Sequence, residues 1–569
     1  MRKVNINLED KETVSVIIGT EFSVFEEHFA PYLHPIAAFR VNNEIMPFSA
    51  PAQTSARLEA VPLFSESGAV VHRRTLSFVL CAAVSKVCPK RLLRVGHSLG
   101  SAYYFSFADG VPPDAALLKS IKDCIDSFIA EKANIEKILA PFNEALEYFN
   151  AEGREETARL LRQTGSASIE LNAMGSYRSI YMSALLPNAG LIQAYELIPY
   201  SDGFLLRFPV LETANGKRAD SCGKSKEFLP GSRFIIPAFT DMPGIFGVFC
   251  EAKRWARIAG VHLASQLNSL VARREIKEFI WIAEAFADKR LSEIANAIAA
   301  RKNEVKLVLI AGPSSSGKTT TAKRLSIQLK TVGLMPLSIS LDDYYLHPDL
   351  VPHDEKGNPD FECLESLDVA FLNEQLCALL AGKEITLPSY DFKSCTRREG
   401  KKMRLEEGNL LLVEGIHGLN DALTPAVPRA EKFKLYASAL ICLNLDDHNR
   451  IATTDNRLLR RLVRDNQFRG IGAERTLKMW PDVQRGAEEY IFKFQNGADA
   501  VFNTALDYEM AVLKLYAEPL LRSVHPESVE FSEASRLLSL LGRFTAIPSE
   551  TVPPLSVLRE FIGGSGFKY

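Results

Sequence analysis

The stretch from Val305 to Leu329, VKLVLIAGPSSSGKTTTAKRLSIQL, constrains this chain more than any other. Val305, Leu307, Val308, Leu309 and Ile310 form the short apolar run expected of a parallel strand covered on both faces. From Gly312 the pattern G-x-x-x-x-G-K-T runs to Gly317, Lys318 and Thr319. Ala322, Leu325, Leu329 and Val332 then keep a helical spacing up to a glycine stop at Gly333. Small residues between strand and helix let the backbone N–H groups curl around a phosphate, and the helix start adds partial positive charge. The expected cradle comprises Gly312, Ser314, Ser315, Ser316, Gly317, Lys318, Thr319 and Thr320. Lys318 would reach the outer phosphates, and the Thr319 hydroxyl would ligate Mg²⁺.

Two further apolar runs end in carboxylates. Leu337 to Leu341 delivers Asp342 and Asp343, followed by Tyr344 and Tyr345, and Leu410 to Val413 delivers Glu414. In an open parallel sheet, ligands sit at the carboxyl edge, so these groups are expected to face the phosphate loop. One carboxylate can take a proton from an attacking hydroxyl, while another helps to hold magnesium. Further on, Arg457, Arg460, Arg461 and Arg464 fall on one face of a predicted helix, with Arg469 beyond it. Such a face can neutralise a transferring phosphoryl group and exclude water.

The 569 residues are too many for one ordinary core. Lys and Arg total 67 against 69 Asp and Glu, a net charge of -2 that argues against a bulk nucleic-acid binder. Nine cysteines without C-x-x-C spacing suit a reducing compartment, and the charged N-terminus does not read as a signal peptide, so a cytoplasmic protein is expected. The longest apolar runs are too short to span a bilayer, and no membrane role is expected.

GPSSSGKTT, LDDYY, LPSYDF, VEGIHGL and RLLRRLVRD, in that order, resemble the uridine kinase and phosphoribulokinase group. The resemblance implies a P-loop kinase domain with a mostly parallel sheet, using ATP or GTP with Mg²⁺. It makes Asp342 the base for a nucleoside 5′-hydroxyl, with Lys318 and Arg464 as the other catalytic groups. It assigns the metal to Thr319 and Glu414, and the substrate to Tyr345, Asp360, Tyr390, Arg457 and Arg460. Glu362 replaces Asp360 as the ribose-holding acid if no two-residue insertion precedes it. Cys395 stands where uridine kinases carry a pyrimidine-contacting histidine, which leaves the base preference open. The segment Leu445 to Asn456 is longer than in simple kinases and is expected to reshape the lid. Family kinases often assemble, so homo-oligomerisation is a further expectation.

The front half resembles another family. Val14 to Ile18, Phe22 to Tyr32, Ile36 to Val41 and Leu58 to Pro62 read as strand, helix, strand and strand. With AAFRVNNEIMPFSAPAQTSARLEAVP they resemble the TGS domain of threonyl-tRNA synthetases. GAVVHRRTLSFVLCAAVSKVCPKRLLRVGHSLGSAYYFSF resembles the editing, or second additional, domain of the same enzymes. That domain carries an HxxxH metal pair where this chain has Arg74 and Phe78, and its later C-x-x-x-H pair has no counterpart in Tyr200 to Pro209. Neither side chain can ligate a cation, so neither zinc nor editing activity is expected. Helical spacing marks Asp114 to Ala133 and Pro141 to Thr164, and strands are expected between Ile180 and Phe239.

The expected protein is a multidomain α/β and α+β chain. It has a TGS-like module at 1–62, an editing-domain-like module at 63–250, three connecting helices at 251–303, a kinase domain at 304–520 and a helical tail at 521–569 to which no chemistry is assigned. The leading function is a nucleoside kinase. The alternatives are a kinase for another small hydroxyl metabolite, or a nucleotide-sensing tRNA-associated regulator.

Overall fold

The computed structural model describes residues 2–9, 12–29, 35–214, 229–354, 357–391 and 394–568. Three sequence expectations fall partly outside them: the helix end at Tyr32, Phe392 of the YDF motif, and residues 215–228 of the strand-rich region.

The kinase sheet grows around Leu307–Ala311. This strand pairs in parallel with Leu410–Glu414 on one side and Lys432–Ser438 on the other. Pro336–Ser340 and Ala500–Asn503 complete the five-stranded sheet at its two edges. Alternation along the central strand divides the core. Val308 and Ile310 pack with Leu325 and Leu329 of the helix Lys318–Thr331 and with Leu291, Ile294 and Ile298 of the helix Ile276–Ala300. Leu307 and Leu309 face Leu372, Leu376 and Leu379 of the helix Val369–Leu380. Helices on both faces explain why the strands read as continuous apolar runs.

Several expected boundaries move. Ile276–Ala300 is a layer of the kinase sheet, not only a connector. The break at 250/251 falls inside the helix Pro243–Ile258, and the break at 520/521 falls inside Glu509–Arg522. The stretch Pro141 to Thr164 is two helices, Phe142–Ala151 and Glu155–Thr164, separated at Gly153, whose φ of +70° suits a residue without a side chain. Within the described residues the first helix opens as a 3₁₀ turn at Phe22–Phe25 and continues as an α-helical turn at Glu26–Phe29.

In the front half, residues 3–62 form a mixed five-stranded sheet in which Lys3–Leu8 and Ala56–Pro62 lie parallel at the centre. The long helix Glu66–Val87 follows, its start capped by the Ser65 hydroxyl, which accepts from the Gly68 amide at 3.0 Å. Beyond it stand a four-stranded antiparallel sheet built on Leu93–Leu99 and Ala102–Phe107, and a three-stranded one built on Glu136–Pro141 and Ser168–Met174.

The two halves are joined by the segment that follows Lys432–Ser438. Residues 439–448 are all buried, and they enter the front half. The Asp447 carbonyl accepts from the Val95 amide at 2.9 Å, and its carboxylate pairs with Arg94 Nε at 2.8 Å. Asp446 Oδ2 accepts from the Thr157 hydroxyl at 3.1 Å and lies 3.6 Å from Arg154. His448 Nδ1 is 2.9 Å from the Tyr177 hydroxyl, and burial holds the imidazole pKa well below its ordinary value, with Arg154 adding to the effect. Among the described residues, no helix is long and apolar enough to cross a membrane.

Removing one member of a buried pair strands the other, whereas an exposed pair contributes little. Asp446→Ala is expected to destabilise the protein by about 3–5 kcal/mol. Glu170→Ala, which breaks the exposed pair with Lys137, should cost less than ~1 kcal/mol. Denaturant unfolding of the two variants measures the contrast, and equal shifts would contradict the buried-pair account.

Candidate active site

Gly312 ends the central strand and opens the phosphate loop. A side chain there would meet the Ala437 carbonyl at 2.0 Å, so the close approach of neighbouring strands demands glycine. Ser315 takes a left-handed conformation, with φ of 61°. The loop's carbonyls are held from outside. Arg457 Nε donates to Ser314 O at 3.0 Å, Arg460 to Ser315 O at 3.4 Å, and the Thr504 hydroxyl to Ser316 O at 2.6 Å. Arg461 donates to the Ser314 hydroxyl at 2.9 Å. With those carbonyls drawn outward, the loop amides are the groups left to face an anion.

At the carboxyl edge of the sheet, Glu414 Oε1 accepts from the hydroxyls of Thr319 at 3.1 Å and Ser340 at 3.2 Å. The Glu414 pKa is pushed up to about 7, first by burial and then by the nearby Asp342 charge, against the opposing pull of Lys318 and the Thr319 hydroxyl. Two carboxylates and two hydroxyls therefore converge beside Lys318. Hard oxygen donors in this arrangement fit Mg²⁺, the cation that accompanies nucleotide phosphates. Asp342 itself lies in the 3₁₀ turn Leu341–Tyr344, directly after its strand.

Asp343 turns the other way: its carboxylate accepts from the Tyr390 amide at 3.1 Å and so fixes the hairpin Glu384–Asp391/Thr396–Arg404 against the sheet edge. Tyr345 lies between Tyr390 and Phe361, with ring centroids 5.9 and 6.0 Å away. These three rings form a tilted, edge-on aromatic cluster three residues beyond Asp342. Cys395 closes the turn of the same hairpin with φ of 54°.

The arginine helix, Thr453–Arg469, keeps Arg460 among protein partners. Its guanidinium is fully buried, held by Glu509 at 2.7 Å and by the Thr504 carbonyl at 2.9 Å, and it braces the loop from behind. Arg464 is bound to its neighbour Asp465, at 3.1 and 2.9 Å. Asp465 also pairs with Arg461 and Arg469, gathering the basic face into one knot. Arg457 lies over the Trp480 ring at 5.2 Å, and burial lowers its pKa to about 10.

Asp360 does not join the group either. Its carboxylate accepts from the Tyr490 hydroxyl at 3.0 Å and from the Glu362 amide at 3.1 Å. Glu362 instead faces cations: burial raises its pKa, while Arg461, Lys318 and Arg457 oppose that rise. Sequence reasoning passed over Ser340, Asp465, Thr504 and Glu509. Of these, only Asp465, which directly follows Arg464, left a local signal, because the others act on residues far away in the chain.

In the front half, Phe78 packs on Tyr177 and Tyr181 at 5.3 and 5.6 Å. Arg74 is half-buried near Asp455, Glu533 and Arg536, and desolvation lowers its pKa to about 10. At these two positions stand an edge-on aromatic cluster and a charge junction with the kinase half.

A family model described as the phosphoribulokinase / uridine kinase family matches residues 307–511. The chain is 30% identical over 174 residues to a uridine kinase of Lactobacillus johnsonii, spanning 31% of this chain and 74% of that protein. It is 29% identical over 198 residues to a uridine kinase of Chloroflexus aurantiacus, spanning 34% and 85%. A threonine–tRNA ligase of Clostridium tetani is 22% identical over 253 residues, 44% of this chain and 37% of that ligase.

A carboxyl whose folded-state pKa is raised opposes folding once it ionises. For Glu414 the cost is absent below the ordinary value of 4.5 and complete above about 7. Glu414→Gln should therefore melt higher than the parent protein at pH 8 without Mg²⁺, with a gain that shrinks toward pH 5. Melting curves with and without Mg²⁺-nucleotide check this, because the variant should also lose most of the stabilisation that the ligand confers.

Proposed function

The chain belongs to the phosphoribulokinase and uridine kinase family, and from that premise we propose that it is an ATP- or GTP-dependent kinase acting on the 5′-hydroxyl of uridine or a related nucleoside. One observation carries the reading: the buried Glu414 shares Thr319 and Ser340 beside Lys318, with Asp342 close by. A nucleoside base would enter between Tyr345, Phe361 and Tyr390, whose faces suit a flat ring. Glu362 would accept from the ribose hydroxyls. Asp360 is the weaker choice for that task, because Tyr490 and the Glu362 amide already take up its oxygens.

The 5′-hydroxyl would then lie against Asp342, which accepts its proton as the oxygen attacks the donor's terminal phosphorus. Lys318 neutralises charge on the outer phosphates. Arg457 and Arg461, already anchored on Ser314, hold the loop in shape and add positive field from behind. Bound Mg²⁺, held by Thr319 and Glu414, would neutralise phosphate charge and align the donor. Arg464 acts only after leaving Asp465.

For the front half we propose a scaffold of synthetase-like build, a TGS-like module followed by an editing-domain-like one. The central parallel pair of the first sheet and the partial match to a threonine–tRNA ligase support this. Its chemistry is spent on holding the kinase.

Asp342→Asn is expected to lower kcat by roughly 10²–10⁴-fold while nucleotide binding is kept. Glu362→Gln should raise the nucleoside KM by about tenfold with little change in the donor KM, as expected on losing a charged hydrogen bond. A coupled ADP-release assay across nucleosides, sugar phosphates and pantothenate reads both. Turnover confined to a non-nucleoside acceptor would keep the catalytic groups and replace the substrate.

A further inference from the structure

Thr320 belongs to the first turn of the phosphate-loop helix Lys318–Thr331. In a loop of this kind, an amide and hydroxyl at that point are placed to receive the inner phosphate of a nucleotide, the one next to the sugar. Here both donate to a single oxygen of another residue. Glu560 Oε2 accepts from Thr320 N at 3.1 Å and from Thr320 Oγ1 at 2.6 Å. The carboxylate arrives from 240 residues further along the chain.

The segment that carries Glu560 is seated firmly. Val557, Leu558, Phe561 and Ile562 are buried in the core that also holds the arginine helix. Val557 Cγ2 lies 2.4 Å from the point where a side chain on Gly317 would begin, so the segment packs directly on the loop glycine. Phe561 lies beneath the Arg460 guanidinium at 5.0 Å, and Gln467 donates to the Ile562 carbonyl at 3.0 Å. Arg559 gathers the carbonyls of Ser549, Val552 and Gly563. Glu560 is also near enough to Glu414 for its charge to add to the rise of that pKa. By contrast, Lys318 contacts Pro313 O at 3.4 Å and Thr319 contacts Glu414, both within the kinase core, so the outer phosphate positions are not taken by this segment.

We infer that Glu560 is a donor-site residue: its carboxylate stands in for a phosphate on Thr320, and a nucleotide donor must displace it to bind along the whole loop. The inference rests on the donor-site reading given above and adds a competitor supplied by the chain itself. Two anions cannot share one amide–hydroxyl pair, so the C-terminal segment weakens donors that carry an inner phosphate. An inorganic diphosphate, which needs only the outer positions, escapes the competition.

The test is calorimetric titration of the full-length protein with Mg-ATP and, separately, with Mg-pyrophosphate. Glu560→Ala should bind ATP roughly tenfold tighter than the parent, the scale of losing a charged hydrogen-bond competitor, while pyrophosphate changes by less than about twofold. Glu560→Asp keeps the charge but is one methylene too short to reach Thr320, and it should behave like the alanine variant. Equal tightening of both probes by Glu560→Ala, with Glu560→Asp matching the parent, would reduce the effect to general charge and overturn the inference. Unchanged ATP affinity in both variants would overturn it too, leaving the donor site standing. Failure of the parent and the variants to bind either probe would remove the donor-site reading and the inference together.

Discussion

The insertion of Asp446, Asp447 and His448 into the front half is the constraint on which the rest of the molecule depends. Three polar groups are buried where charge is expensive, and each is met by a partner from the other half: Arg154 and Thr157, Arg94, and Tyr177. Asp446 is further held by the amides of His448 and Asn449, which shape the turn around its carboxylate. Ion pairs of this kind add little to stability over an apolar core, but they punish any arrangement that leaves one member unpaired. The relative placement of the halves is thereby specified, not only tolerated.

This seam lies immediately before the arginine helix, and its effects reach the phosphate loop through that helix. Asp455 in the helix's first turn pairs with Arg536 at 2.7 Å, and the half-buried Arg74 of the front half lies near the same acid. One turn further, Arg457 and Arg460 hold the carbonyls of Ser314 and Ser315. The path from the front half to the loop is thus a chain of packed charges on one rigid element. Arg460 matters here as a brace: with Glu509 it makes a fully buried pair that fixes where the helix sits against Thr504 and the loop.

The site itself is held in electrostatic tension. Glu414 is buried close to Asp342, whose charge helps to drive it toward its protonated form, and Glu560 adds a further negative group from the tail. On the reading proposed here, a divalent cation and an anionic donor would change that balance together, the cation satisfying the carboxylates and the phosphates displacing Glu560. What the fold itself shows is that the tail, for which no chemistry was expected, brings a carboxylate onto Thr320.

Much of the kinase core was legible because its chemistry is local. The run Leu307 to Ile310, the loop from Gly312 to Thr319 and the acids Asp342 and Glu414 each announce a strand, a phosphate cradle and a sheet edge within a few residues. The even spacing of arginines announced a basic helix face. Side-chain direction was not legible in the same way. Asp360 and Glu362 differ by two positions, and only the packing of Tyr490 against the first shows which of them faces Arg461 and Lys318. Arg460 and Arg457 read alike on a helical wheel, and both are buried; only the packing shows that Glu509 pairs with the first. The sequence alone determined the elements, their order and the residue types that can handle phosphate, since these follow from periodicity and short-range spacing. Only the tertiary structure decided that residues 439–448 enter the front half and that Glu560 reaches Thr320, because contacts across hundreds of residues depend on how separate cores pack and leave no local pattern in the chain.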